Sequence, residues 1–261
     1  MLLVEAGSNL EKKDFDGKTA LALACMNNNF SIVEYLVLQG SDVNTSDNCG
    51  NTPLLNAINS GLCINYEILK ILLQAGANPN QTNKYGLSPL ITTIRRSSDH
   101  CLVGQETVQA LIDHNCDLNV YEYDSPICGE NALHLAITRN QDRITELLIR
   151  SGCNINVANQ NGVTALLRLA KDGKEDLIKL LIAVGANLYL TKQFWANEFG
   201  TISFRNPDLK DLLIYQSKKL PNLKHLSRIK LRNWLGRRAD VVIKQLNLPT
   251  AIRQYLLLME L

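Results

Sequence analysis

A turn motif that returns along the chain constrains the fold more than any other feature. An apolar helical stretch ends in Gly or Asn; a small or polar residue, Asn or Asp, any residue and Asn then follow. It reads Gly40-Ser41-Asp42-Val43-Asn44, Gly76-Ala77-Asn78-Pro79-Asn80, Asn115-Cys116-Asp117-Leu118-Asn119 and Gly152-Cys153-Asn154-Ile155-Asn156. Shorter copies, Gly7-Ser8-Asn9-Leu10 and Gly185-Ala186-Asn187-Leu188, open and close the run. The turn residues 7, 40, 76, 115, 152 and 185 stand 33, 36, 39, 37 and 33 apart. A near-constant period of this length means stacked units, none of which can bury its apolar face alone. Each turn ends a helix where the backbone must become left-handed. Gly does so without penalty and Asn is the next most tolerant residue, so Asn115 obeys the rule.

A second element recurs between the turns, a Gly two residues ahead of a helix start. The copies are Gly17-Lys18-Thr19-Ala20-Leu21, Gly50-Asn51-Thr52-Pro53-Leu54 and Gly86-Leu87-Ser88-Pro89-Leu90, then Gly129-Glu130-Asn131-Ala132-Leu133 and Gly162-Val163-Thr164-Ala165-Leu166. Thr, Ser or Asn is a natural N-cap, and Pro fits the first helical turn, where its missing N–H costs nothing. Each start opens an inner helix such as 20–26, followed by an outer one such as 32–39. The expected fold class is all-α, a solenoid of helix pairs with one continuous core.

These residues resemble the ankyrin repeat family, whose signature is a period of about 33, the G-x-T-P/A-L helix start and the closing G-A-D/N-x-N. The resemblance implies repeats over 1–190, with a partial unit 1–13 and units at about 14–46, 47–82, 83–120, 121–158 and 159–190. The partial unit holds an outer helix (Leu2-Leu3-Val4-Glu5-Ala6) without its inner one. A shortened product and a ragged cap are both open readings. The third unit carries an insertion around Ser97–Gln105. The finger between Asn119 and Gly129 is longer than the others and holds Tyr121, Tyr123 and Pro126. Insertions in repeat arrays are displayed on one face, where they either contact partners or are simply tolerated. Phe15 and Tyr85, at two finger tips, are candidate substrate anchors beside Tyr121 and Tyr123; packing within the fingers is the alternative for the first two.

Composition narrows the class. With 46% hydrophobic and 20% charged residues, the chain has the apolar mass that a disordered chain lacks. No apolar run approaches the roughly 18 residues needed to span a bilayer, and the opening residues lack the basic stretch of a secretory signal. The seven Cys form no C-x-x-C pair and His is scarce at four copies, so neither a metal site nor a disulfide framework is expected. They read as reduced thiols of a cytoplasmic or nuclear protein. Gly17-Lys18-Thr19 resembles the end of a phosphate-binding loop, but Lys12 stands where that loop needs Gly. His134 reads as a structural histidine, and no arrangement of residues suggests an enzyme or a cofactor.

Charge divides the chain. From Arg205 onward there are 12 Lys/Arg against 4 Asp/Glu, a net of +8, whereas the preceding residues carry −6. Phe194, Trp195, Phe199 and Phe204 cluster after the last turn and are expected to cap the stack, within a connector at 191–220. Beyond Pro221, Leu223, Leu226, Ser227, Leu231 and Trp234 fall on one helical face. A module of about 40 residues is too small to bury a good core unaided and is expected to pack on a partner or on the array.

Asn222-Leu223-Lys224-His225-Leu226-Ser227-Arg228-Ile229-Lys230-Leu231 resembles the BC box of a SOCS box, with Ser227 where Cys is usual. Leu246-Asn247-Leu248-Pro249, followed by Tyr255-Leu256, is similar to its cullin box, with Asn247 where Pro is usual. Repeats followed by a SOCS box at 221–261 make up the ankyrin repeat and SOCS box family. That resemblance implies a non-catalytic adaptor of a ubiquitin ligase. Leu223, Leu226, Ser227 and Leu231 would bind Elongin-C in the Elongin-B/Elongin-C pair. Leu246, Leu248, Pro249, Tyr255 and Leu256 would bind a cullin of the five type with its RING protein. The repeats would hold a protein substrate. A plain ankyrin scaffold with a self-capping tail is one alternative. Nucleic-acid binding by the basic tail is another, disfavoured because aromatic interleaving for base stacking is absent.

Overall fold

The computed structural model describes residues 7–61, 64–98, 102–121 and 130–186. They fall into two compact units that divide between residues 135 and 136, and each is described by itself. The first unit holds three helix pairs: α1 (Ala20–Met26) with α2 (Phe30–Leu38), α3 (Pro53–Asn59) with α4 (Tyr66–Gln74), and α5 (Pro89–Arg96) with α6 (Leu102–Asp113). Helix α7 (Ala132–Thr138) spans the division, and the second unit continues with α8 (Asp142–Arg150), α9 (Ala165–Asp172) and α10 (Glu175–Val184). No strand occurs among the described residues, only two isolated bridges, Tyr121 with Asn131 and Ala158 with Thr164.

The helix starts follow from local chemistry. The hydroxyls of Thr19, Thr52, Ser88 and Thr164 accept from the N–H groups of Ala22, Leu55, Ile91 and Leu167, satisfying donors that the helix itself leaves unpaired. Asn131 accepts from the His134 N–H in the same way. Helix α2 starts two residues ahead of the apolar pattern because the Asn29 side chain caps it, accepting from the Ile32 N–H. At the turns, Asn115 adopts φ 63° beside Gly40, Gly76, Gly152 and Gly185, all left-handed.

Tertiary packing supplies the stability that helices of seven to twelve residues lack in isolation. In the first unit α1 packs on α2 and α3, α3 on α4 and α5, and α5 on α6, while the outer helices α2, α4 and α6 stack in sequence. Leu21, Leu54, Leu55, Ile58, Ile68, Leu69, Leu72, Leu90, Ile91, Ile94 and Leu111 are fully buried between these layers. In the second unit α10 packs on α8 and α9.

Candidate functional site

Four of the fingers that join successive pairs are built by one device. Asp14, Asp47, Asn83 and Asn159 each stand three residues before the finger glycine, and each side-chain oxygen accepts from two backbone N–H groups. Asp47 Oδ1 takes those of Cys49 and Asn51 at 2.9 and 2.8 Å. Asn83 Oδ1 takes those of Tyr85 and Leu87, both at 3.0 Å. Asp14 and Asn159 repeat the pattern. Such an Asx turn replaces the backbone's own partner and holds the tip in one shape. The two tip positions are exposed, occupied by Phe15-Asp16, Asn48-Cys49 and Lys84-Tyr85 in the first three fingers.

Neighbouring fingers are fastened to each other. Asn48 donates its backbone N–H to the Asp16 carbonyl at 2.9 Å and its side-chain amide to the Phe15 carbonyl at 3.0 Å. Lys84 N–H reaches the Cys49 carbonyl at 2.9 Å. At the other end of the repeats, Asn44 and Asn80, each the last residue of a closing motif, bridge to the next turn. Asn44 accepts from the Asn78 N–H at 2.7 Å and donates to the Gly76 carbonyl at 3.1 Å. Asn80 does the same to Asp117 and Asn115. In the partial unit Glu11 takes that place, accepting from the Asp42 N–H at 2.9 Å. The sequence reading recognised these Asn as a signature but missed their bridging role. Their recurrence four residues after each turn was the available signal.

The anchors named from the sequence fall as follows. Phe15 is fully exposed, Tyr85 is 57% exposed and Tyr121 is 41% exposed, so Phe15 and Tyr85 are displayed rather than packed into their fingers. Phe15 and Tyr85 belong to the first and third fingers of one unit, with exposed Cys49 between them in the chain of finger contacts. Each inner helix of that unit also exposes the residue seven after its cap: Met26, Asn59 and Arg95. Tyr123 lies outside the described residues, as do Leu223, Leu226, Ser227, Leu231, Leu246, Leu248, Pro249, Tyr255 and Leu256, the aromatic cluster 194–204, the connector and the C-terminal module.

His134 is buried, its Nδ1 2.7 Å from the Asn131 cap oxygen. Burial pushes the thiols of Cys25 and Cys153 up to about 12, which keeps them protonated and unreactive near neutrality. Their contribution to stability is present below the unfolded thiol's value of 9.0 and is lost as pH rises towards 12. Among Cys25, Cys49, Cys116 and Cys153, only Cys49 is exposed. Iodoacetamide applied to the native chain should therefore modify Cys49 first of these four. Early labelling of Cys25 in the peptide mass map would contradict its burial. Among the described residues, no helix is long and apolar enough to cross a membrane.

Stacked helix pairs with displayed fingers define a protein-binding repeat array, and comparison with known proteins agrees. The family model for ankyrin repeats matches three times, at residues 1–83, 62–159 and 100–192, and that for the SOCS box matches residues 220–257. An ankyrin repeat protein of fowlpox virus (strain NVSL) is 32% identical over 177 residues, 67% of this chain; the chain spans 35% of that protein's length. The ankyrin repeat protein YahD of Escherichia coli (strain K12) is 28% identical over 69% of this chain and 86% of its own. The crystal structure of an ankyrin repeat domain from Acinetobacter baumannii AYE superposes with a TM-score of 0.60 at 30% identity, covering 71% of this chain and 91% of that one. The chain belongs to the ankyrin repeat and SOCS box family. Both modules are non-catalytic: ankyrin repeats bind proteins, and a SOCS box is the module through which ubiquitin-ligase adaptors recruit Elongin-B/C.

Proposed function

We propose that this chain is the substrate-recognition adaptor of an Elongin-B/C cullin-RING ubiquitin ligase. The observation that carries the reading is a SOCS box at 220–257 on the same polypeptide as a repeat array that ends near residue 192. Leu223 is the central apolar anchor for Elongin-C, supported by Leu226, Ser227 and Leu231. Leu246, Leu248, Pro249, Tyr255 and Leu256 engage a cullin of the five type, which brings the RING protein. Ser227, in the place usual for Cys, weakens the Elongin-C contact modestly without abolishing it. The adaptor's contribution is effective concentration. It holds a substrate lysine near the charged conjugating enzyme and makes or breaks no bond itself.

Co-expression with Elongins B and C, followed by size exclusion, tests the assignment. Co-elution of all three chains is the expected result. A monomer indifferent to both Elongins would leave a plain ankyrin scaffold whose tail caps the stack.

Substrate binding falls to the finger surface of the first unit, where exposed Phe15 and Tyr85 are the anchors. Aromatic side chains bring large contact area at low entropic cost, which makes them common interface hot spots. A double Phe15→Ser, Tyr85→Ser variant should lose substrate capture by about tenfold or more, from roughly 2 kcal/mol of lost contact. Its melting temperature and Elongin binding should not change, because neither ring is packed in the free chain. Retained capture, measured by pull-down of ubiquitinated substrate, would move the site elsewhere on the array.

A further inference from the structure

A groove of about 260 Å³ lies on the outer-helix side of the first unit, between α4 and α6. Its position is distinct from the fingers and inner helices. Leu73 and Ala110 form its apolar floor; Tyr66 and Lys70 from α4 face Glu106 and Asp113 from α6 across it. The spacing explains the alignment. Residues 66, 70, 73 and 74 lie along one stripe of α4, and 106, 109, 110 and 113 along one stripe of α6, with His114 just past its end.

One residue stands out at the opening. Five positions before each turn residue the outer helices carry Tyr35, Ile71, Ala110, Leu147 and Leu180. Ala110 is the small member of this row and lines the groove. The side chains around the gap are held in place. Asp113 Oδ1 accepts from the Gln109 side-chain amide at 2.8 Å, and His114 Nδ1 lies 2.9 Å from the Ala110 carbonyl.

The groove's chemistry selects its occupant. The charged residues of α2, α4 and α6 are Glu34, Glu67, Lys70, Glu106 and Asp113, so this side of the unit is acidic. Within the groove Lys70 stands against Glu106 and Asp113, which leaves one carboxylate in excess; with the Tyr66 ring and the apolar floor it matches an arginine side chain. Its aliphatic stem covers Leu73 and Ala110, and its guanidinium takes Asp113 or Glu106 and stacks on Tyr66. A volume slightly below that of a small-molecule pocket suits one side chain of a protein partner. We infer that the groove between α4 and α6 is a second docking site, which receives an exposed arginine of a basic peptide segment on a partner protein. It lies within the repeats and does not depend on the ligase assignment.

The test titrates the full-length, isotope-labelled chain with the blocked peptide acetyl-Gly-Ala-Arg-Ala-Gly-amide and with its Lys and Glu counterparts, following backbone amide shifts. Saturable shifts confined to residues 66–74 and 106–114 are expected for the Arg peptide, with none for the Glu peptide. Ala110→Leu restores the side chain found at Leu147 and Leu180 and should keep the fold while weakening Arg-peptide binding at least about tenfold. A Glu106→Gln, Asp113→Asn pair changes charge on exposed positions without altering shape and should weaken binding by about tenfold. Undiminished binding by either variant, shifts centred on the fingers, equal shifts with the Lys peptide, or no saturable shifts would each overturn the assignment.

Discussion

Gly50→Ala is expected to destabilise the repeat array by about 2–4 kcal/mol, a loss visible as a lowered urea midpoint. Two effects add. Gly50 holds φ at +81°, a left-handed conformation in which a Cβ costs roughly 1–2 kcal/mol. The added Cβ would also stand 2.9 Å from the Lys84 nitrogen and 3.1 Å from the Asn83 Cα. Both are backbone atoms of the next finger, so relief requires the fingers to part and strains the bond from Lys84 N–H to the Cys49 carbonyl. Gly40→Ala separates the two contributions. Gly40 holds φ at +85°, yet a Cβ there meets nothing within 4 Å, so only the conformational cost of about 1–2 kcal/mol remains. Equal losses for the two variants would show that close approach of the fingers contributes nothing.

Leu223→Asp is expected to abolish co-elution with Elongins B and C while leaving the helical signal of the repeats intact. A leucine buried at an interface contributes roughly 1.5–3 kcal/mol. Putting a carboxylate in its place adds the desolvation of an unpaired charge, so the total exceeds several kcal/mol and Kd rises by more than about a thousandfold. Leu223→Ala removes the burial without adding the charge and should weaken the complex by about ten- to a hundredfold. Because the ankyrin and SOCS modules match separate stretches of the chain, substrate capture by the Asp variant should survive. Loss of both activities together would point to a folding defect. Unchanged co-elution would remove Leu223 from the Elongin-C contact.

Much of the fold was legible because its devices act over a few residues. Thr19, Thr52, Ser88 and Thr164 cap helices from within the same turn, and Asn115 takes the left-handed conformation its place in the period demands. Those effects need no distant partner, so a short motif states them. The outer-helix start at Phe30 was read late because hydrophobic periodicity reports the buried face and is blind to a capping Asn. The Asx turns of the fingers were equally local, and the acceptor three residues before four of the five finger glycines could have been found from the pattern.

Sequence by itself determined the class of this protein: repeat period, cap chemistry and closing motif specify stacked helix pairs, and the motifs after Pro221 specify the SOCS box. Tertiary structure decided what depends on residues about one repeat apart. Asn44 and Asn80 became bridges only when the next turn lay against them, and Gly50 became indispensable only when the following finger did. Phe15 and Tyr85 proved displayed because their neighbours bond to one another and leave the rings outside. The groove at Ala110 lies where residues of α4 and α6 meet. Exposure and empty space are properties of surfaces that meet, and a linear pattern specifies each surface without specifying the fit between them.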